Sequence, residues 1–322
     1  MAVAAVVILS IGRLAGFAKL TDTLRDGEIG WLALCAVGQI VVFAGYTGAF
    51  RHAVAFESGP AIATSLALRV VLASFGLSQL VAAGGVAGLA VTYWALRRLR
   101  FPRREATVRL IGLATAVYLV FGLIGFSAAL LSLITGAAPL GMTVPWLVSI
   151  PLLVAAALWF TDPRRAATWA APDGGVLRRA LATGVGAAWW VRRAASSSRD
   201  RQLFGWAGAY WAGDIASLWA ALHAFGADPG IIAVTLVYAT GYLAQSIPIP
   251  FVATGGMDAA TTFALTAVGV PLEVALVAVV AHRVFAFWIP LVPGLICAAW
   301  LRSTGAALER AASIDAGAAV AG

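Results

Sequence analysis

The sequence predicts an all-α polytopic membrane protein with about eight transmembrane helices and two repeated re-entrant segments that contain glycine pairs. Hydrophobic residues make up 61% of the 322 residues and charged residues only 11%, whereas a soluble domain carries roughly a quarter charged residues. The apolar residues fall in runs of about 20, the length that crosses a bilayer as a helix. A stretch punctuated by proline and glycine occurs twice. These runs leave little room for a soluble catalytic domain.

The apolar runs divide into long spans and two shorter stretches. The shorter ones, about 84–96 and 255–268, each begin at a glycine pair. As helices they would reach only about 20 Å, too short for a hydrocarbon core of about 30 Å. We therefore expect both to be re-entrant, with protein or water around their backbone. The predicted long spans are about 2–18, 31–50, 61–82, 106–133, 140–160, 203–224, 231–247 and 273–300.

The glycine pairs belong to a pattern that occurs in both halves of the chain. Pro60, Gly84-Gly85 and Pro102 precede Pro229, Gly255-Gly256 and Pro271 by 169, 171 and 169 residues. Duplicated, interrupted apolar segments of this kind mark the binding sites of many transporters. We predict a single integral membrane domain, 1–322, with repeats at about 31–133 and 203–300. Span 140–160 and an arginine-rich connection, 161–202, join them, and both parallel and inverted repeats remain open.

Arginine determines the predicted topology. The formal net charge is +8, and Lys19 is the only lysine. Arginine clusters at 97–109 and in the connection 161–202 should stay in the cytoplasm and contact anionic lipid headgroups, as in a multi-pass protein of the cell membrane. Within the connection, 176–193 fits either an interfacial amphipathic helix or a flexible linker. Nucleic-acid binding would need a solvated basic face with interleaved aromatic residues, which the sequence lacks.

Charged residues inside the predicted spans are candidates for substrate binding, because charge at membrane depth is costly. Arg283 lies about ten residues into the last span, roughly 15 Å deep. Asp214 lies near the middle of span 203–224, and Arg69 lies in span 61–82. Each could instead belong to an ion pair that holds helices together. His282 should point elsewhere than Arg283, since consecutive residues lie about 100° apart around a helix.

Asp258 follows the second glycine pair. Backbone amides at a helix start near Gly255 and Gly256 could bind an anionic headgroup, or Asp258 itself could cap them. An ion pair between Asp258 and Arg283 is a further alternative. Glu105 and Glu273 follow prolines and should lie in the first turns of helices, where acidic residues are favoured.

Signals for catalysis and cofactors are weak. The three histidines (His52, His223 and His282) are scattered, and the two cysteines (Cys35 and Cys297) lie in apolar spans without metal-ligand spacing. Neither a Gly-x-Ser-x-Gly motif nor a phosphate-binding loop is present. We therefore predict no cofactor and no metal, and we favour a protein that is not an enzyme.

Several motifs follow one another in the last third of the chain. They are Tyr238-Ala239-Thr240-Gly241-Tyr242, Ile247-Pro248-Ile249-Pro250, Gly255-Gly256-Met257-Asp258, Gly269-Val270-Pro271 and the stretch 281–290. Together they resemble the lysylphosphatidylglycerol synthase transmembrane (flippase-like) family, in which an acid thirteen residues before a proline is followed by an arginine and an aromatic pair. Asp258, Arg283 and Trp288 match these positions. Two features depart from the family pattern: the acid is aspartate instead of glutamate, and the glycine pair lies closer to it.

The resemblance implies a flippase-like membrane protein without the soluble aminoacyl-transferase domain of the full-length synthases. Our leading hypothesis is that the chain moves a phospholipid or lipid-linked headgroup across the cytoplasmic membrane. The alternatives are a non-transporting accessory subunit with a partner transferase, and a membrane-embedded lipid transferase. The candidate substrate-binding residues are Arg283, Asp258, Gly255, Gly256, Asp214, Arg69, Gly84, Gly85 and Trp288.

The predicted topology can be tested by cysteine labelling. A single cysteine at Ser197, with Cys35 and Cys297 replaced, should react with an impermeant maleimide only after the membrane is permeabilised, because arginine-rich segments are not readily translocated. A cysteine at Ala137, in the uncharged turn between the predicted spans 106–133 and 140–160, is the control and should react in intact cells. Labelling of the Ser197 position in intact cells would contradict the topology.

Overall fold

The structure, a computed structural model, describes residues 27–80, 86–162, 175–198, 200–243 and 252–321. The regular structure of these residues is entirely helical. The predicted first span, 2–18, lies outside the described residues, as do Gly84 and Gly85. The helices are α1 (Ile29–Ala55), α2 (Thr64–Leu80), α3 (Val86–Arg98), α4 (Arg103–Thr135), α5 (Leu140–Phe160), α6 (Val176–Ser196), α7 (Gln202–Ala224), α8 (Ile231–Leu243), α9 (Val252–Ala267), α10 (Leu272–Ala299) and α11 (Leu301–Ala321).

Four of these helices, α1, α4, α5 and α10, are long and apolar enough to cross a membrane. They agree with the predicted spans 31–50, 106–133, 140–160 and 273–300. The total of about eight spans remains a prediction. Helix α11 was not predicted, because Arg302, Glu309 and Arg310 interrupt its apolar character. Its alanine-rich composition favours a helix without requiring a membrane.

The chain divides into two compact units. Helices α1, α4, α5, α7 and α10 each contribute one segment to each unit. Among the described residues, the first unit comprises 27–42, 121–150 and 211–289, and the second comprises 43–120, 151–210 and 290–321.

In the first unit, α1 and α7 approach each other at two glycines. A Cβ atom on Gly213 would lie 2.6 Å from the carbonyl oxygen of Gly38, and one on Gly38 would lie 2.7 Å from the carbonyl oxygen of Gly213. Small residues allow such close backbone approach between membrane helices. The next residues along each helix, Gln39 and Asp214, are thereby brought into a hydrogen bond of 2.8 Å.

Aromatic side chains pack around this contact in the first unit. Trp211 of α7 is buried, with its ring centroid 4.3 Å from that of Phe121 of α4 and 5.0 Å from that of Tyr242 of α8. Helix α8 also packs closely on α9, since a Cβ atom on Gly241 would lie 2.2 Å from the Thr261 hydroxyl oxygen. These contacts fix α7, α8 and α9 around an apolar interior.

In the second unit, Arg109 has a structural role. Its side chain is only 2% exposed, and its Nη1 atom donates to the carbonyl oxygens of Ala53 and Val54 at 2.8 and 3.2 Å. These carbonyls lie at the end of α1, where the helix leaves its last acceptors unpaired. Glu105, in the first turn of α4 as predicted, pairs with Arg109 at 2.7 Å. Arg109 therefore caps α1 and is not available to lipid headgroups.

The arginine-rich connection contains a helix. Residues 176–196 form α6, so a flexible linker is wrong for this part of the connection. Trp190 is buried against the ring of Phe56, with centroids 4.9 Å apart, while Arg192 and Arg193 are exposed. The helix is thus amphipathic, with its apolar side packed on the second unit. Its location at the membrane interface and its contact with anionic lipid remain predictions.

The helices follow the same order in the two predicted repeats. Helices α1 to α4 begin at residues 29, 64, 86 and 103, and helices α7 to α10 begin at 202, 231, 252 and 272. In each series the two middle helices pack on each other, α2 on α3 and α8 on α9. The described part of each of these four helices has 17 residues or fewer, short of the roughly 20 that cross a bilayer. That α3 and α9 are re-entrant, and that the halves are structural repeats, remain predictions.

The contact between α1 and α7 predicts a specific destabilisation. The change Gly213→Ala should lower stability by about 1–3 kcal/mol, because its methyl group would overlap the Gly38 carbonyl. The change Gly208→Ala in the same helix is the matched control: nothing lies within 4 Å of its Cβ position, so helix propensity should leave stability unchanged or raise it by up to about 1 kcal/mol. Thermal unfolding in detergent measures both. Equal effects would show that the glycine contact is not limiting.

Candidate functional site

The candidate site is built on two consecutive polar residues of α10, His282 and Arg283. They end its first regular segment, and a π-helical turn, Val284–Trp288, follows immediately. The turn has a local cause, since Pro290 lacks an N–H donor and its ring would clash with the carbonyl oxygen of Ala286 in a regular helix. Such wide turns are frequent at functional sites.

Arg283 pairs with Asp258 of α9. The Arg283 Nε atom lies 3.5 Å from Asp258 Oδ2, and the side chains are 22% and 17% exposed. The guanidinium also lies 4.8 Å from the ring centroid of Phe287. A charge-assisted hydrogen bond would measure about 2.7–2.9 Å. The pair is therefore a looser electrostatic contact, made by one edge of the guanidinium.

The glycine pair is placed differently from the expectation. Helix α9 begins at Val252, so Gly255 and Gly256 lie inside the helix and Asp258 lies in its second turn. Asp258 therefore does not cap α9, and its carboxylate is directed to Arg283 instead. The N–H groups that a helix leaves unpaired are the first four, so an anion site on the amides would lie before Gly256.

Asp214 is the centre of a second polar cluster, formed by four helices of the first unit. Its Oδ1 atom accepts a hydrogen bond from Gln39 of α1 at 2.8 Å, and its Oδ2 atom accepts one from the Tyr238 hydroxyl of α8. His282 of α10 brings its Nε2 atom to 3.5 Å from Oδ1. Asp214 and His282 are only 15% and 10% exposed. Both carboxylate oxygens are thus engaged by polar groups from other helices.

His282 connects this cluster to Ser217 of α7 and, through Ser217, to Cys35 of α1. Its Nδ1 atom lies 3.2 Å from the Ser217 hydroxyl oxygen, and that hydroxyl donates to the Cys35 carbonyl oxygen at 3.0 Å. The ring points away from Arg283, as helix geometry predicts. His282 therefore faces α7 while Arg283 faces α9.

Arg69 and Trp288 take part in other contacts. Arg69 belongs to the second unit, is exposed, and lies 6.0 Å from the ring centroid of Trp300. Trp288 is 46% exposed and contacts the ring of Phe287 at 5.0 Å between centroids. Gly84 and Gly85 lie outside the described residues. The structure brings together Arg283 with Asp258, and separately Asp214 with His282.

Sequence reasoning missed four members of the Asp214 cluster: Gln39, Ser217, Tyr238 and His282. Gln39 is an uncharged amide in an apolar run, and its position carries no charge signal. Ser217 follows Asp214 by three residues and so shares its helix face, which is a usable signal. Among the described residues, no group of three or more His, Cys, Asp or Glu side chains could hold a metal ion. What the site provides is a guanidinium beside one carboxylate and an imidazole beside another.

The clusters lie within the part of the chain that comparison with known families covers. The family described as the lysylphosphatidylglycerol synthase TM region matches residues 1–294, which include every residue of both clusters. A comparison with curated proteins gives no match. With helices able to cross a membrane and a match over most of its length, the chain belongs to the lysylphosphatidylglycerol synthase TM region family, membrane proteins tied to lipid handling.

Proposed function

We propose that the protein moves a phospholipid or lipid-linked headgroup between the leaflets of the cell membrane. The observation that carries this proposal is the Arg283–Asp258 pair in the first unit. A cation in a helix that can span a membrane is held by a carboxylate at 3.5 Å, and both side chains retain some exposure. A pair of this kind can exchange partners without leaving either charge unpaired.

Arg283 is suited to a phosphate group. A guanidinium presents a planar fork that binds two oxygens of a phosphate at once, a geometry that lysine lacks. Only one edge of this fork faces Asp258. When a phosphate binds Arg283, Asp258 can pair with a cationic group on the same headgroup or remain beside the guanidinium. An arginine left unpaired would cost several kcal/mol at membrane depth, which favours exchange over simple release.

The arrangement of short helices supports a transported substrate. Asp258 lies on α9, which packs on α8 in the first unit. The described parts of α8 and α9 have 13 and 16 residues, fewer than the roughly 20 that cross a bilayer. Transporters often bind substrate at such discontinuous helices near the membrane midplane. The duplicated order of helices supports the same interpretation.

A membrane-embedded lipid transferase is the second candidate, because the structure contains a His–acid pair, His282 with Asp214. This pair is largely buried among polar groups of the first unit. A general base must reach the substrate group whose proton it removes. Transfer of a group between lipids by the purified protein would favour this candidate.

The change Arg283→Lys should reduce transport of labelled phospholipid at least tenfold in proteoliposomes, because lysine keeps the charge but loses the bidentate fork, a loss of about 1.4 kcal/mol or more. The measurement is the rate at which a fluorescent phospholipid becomes accessible to an impermeant quencher. The change Arg302→Lys, at an exposed arginine of α11, is the matched control and should leave the rate unchanged. Full transport by a folded Arg283→Ala protein would exclude Arg283 from the path.

Stability measurements separate the binding role of the pair from its packing role. Arg283→Ala and Asp258→Ala should each destabilise the protein, because each leaves a partner charge in an apolar setting. In the double variant the losses should not add, with a coupling of about 0.5–3 kcal/mol. Unfolding of the four proteins in detergent completes the cycle. Additive losses would mean that the two side chains act independently.

A further inference from the structure

The Asp214 cluster holds an acid and a base in contact, enclosed by other polar groups. Gln39 of α1 and Tyr238 of α8 donate to the two oxygens of Asp214, and His282 Nε2 lies 3.5 Å from Oδ1. The pair is largely buried. Ionisable residues at membrane depth are frequent members of proton relays. Among the described residues, the other titratable groups around the pair include the Tyr238 hydroxyl, the Cys35 thiol and, next along α10, Arg283.

The hydrogen bonds of Ser217 favour one tautomer of His282. When the Ser217 hydroxyl donates its single hydrogen to the Cys35 carbonyl oxygen, its oxygen is left as the acceptor toward His282 Nδ1, which favours the tautomer with a hydrogen on Nδ1. In a neutral imidazole the other nitrogen, Nε2, would then present a lone pair to the Asp214 carboxylate. A shared proton, on either Nε2 or Asp214 Oδ1, removes this repulsion. With this tautomer, the contact between His282 and Asp214 suits a pair that holds one shared proton.

The charge of the pair acts next to the proposed headgroup site. The loaded pair is neutral overall, whereas the pair without the proton carries one negative charge. His282 and Arg283 are consecutive residues, and Arg283 also pairs with Asp258 of α9. A negative charge on the pair would attract the Arg283 guanidinium and repel an anionic headgroup, and an apolar interior would screen these forces only weakly.

We infer that Asp214 and His282 form a proton-binding site that is coupled to headgroup binding at Arg283, so that an anionic headgroup binds together with one proton. The inference rests on the proposed function and adds a coupling ion to it. Coupling between two sites is reciprocal: the proton favours the headgroup as much as the headgroup favours the proton. A headgroup without net charge gains little from the proton.

Proton uptake during lipid binding tests this inference. Phosphatidylglycerol, which is anionic, and phosphatidylethanolamine, which has no net charge, are titrated into the detergent-purified protein in weak buffer with a pH-sensitive dye. Between about pH 5 and 8, the range in which histidine titrates, the protein should take up as much as one proton when phosphatidylglycerol binds. Its affinity should then rise by up to about tenfold for each unit of acidification. Binding of phosphatidylethanolamine should cause no proton uptake by the protein.

Two aspartate variants locate the proton. Asp214→Asn removes the negative state of the pair, so it should abolish proton uptake. At every pH, the variant should then bind phosphatidylglycerol with the affinity that the natural protein has in acidic solution. This gain at pH 8 could not come from a damaged fold. Asp228→Asn is the matched control, because Asp228 forms another His–Asp pair, with His223 at 2.9 Å and largely exposed on the acid side, and it should change nothing.

Each other outcome overturns the inference. Phosphatidylglycerol that binds the natural protein without proton uptake would refute the coupling while leaving the proposed function intact, and this comparison needs no variant. Uptake that survives Asp214→Asn but disappears in Asp258→Asn would assign the proton to Asp258. If the natural protein neither binds nor moves either lipid, the proposed function fails and the inference fails with it.

Discussion

The structure depends on a single physical constraint, the cost of placing charge among apolar helices. An ionised side chain at membrane depth needs a partner or water, and each buried charge described here has a partner. Asp214 accepts hydrogen bonds from Gln39 and Tyr238, and Arg283 faces Asp258. In the second unit, Arg109 is paired with the carbonyls at the end of α1. The partners of Asp214 and Arg283 are side chains, whereas Arg109 is bound to fixed backbone.

Glycine makes these partnerships possible. Gln39 and Asp214 meet beside Gly38 and Gly213, where the backbones of α1 and α7 nearly touch. Gly241 allows a similarly close approach where α8 packs on α9. The small residues thus do more than tighten the bundle. At Gly38 and Gly213, the close approach brings Gln39 of α1 and Asp214 of α7 within hydrogen-bonding distance.

The long apolar helices could be predicted because about 20 apolar residues suffice to specify a span, and the charged candidates because charge is rare in such runs. From the sequence, an ion pair between Arg283 and Asp258 was one of several alternatives for these residues. The Asp214 cluster was not foreseen, since Gln39 and Asp214 are 175 residues apart and no local pattern aligns them. The start of α9 at Val252 was missed because a glycine pair normally indicates a helix break, yet α9 packs on α8 at Gly241 and Thr261 and this contact supports the helix through it.

The two predicted repeats share an order of helices but not a set of charges. At the offset of 169 residues that relates the ends of α1 and α7, Asp214 corresponds to Gly45 and Arg283 to Ala114. Gly45 serves packing, since a Cβ atom there would lie 2.5 Å from the Tyr210 amide nitrogen. The same helical position therefore provides a close contact in one half and a carboxylate in the other. The partners of the two pairs differ in the same way, since Asp258 corresponds to Leu89 and His282 to Leu113 at this offset. Neither pair therefore has an ionisable counterpart at the equivalent positions of the first predicted repeat.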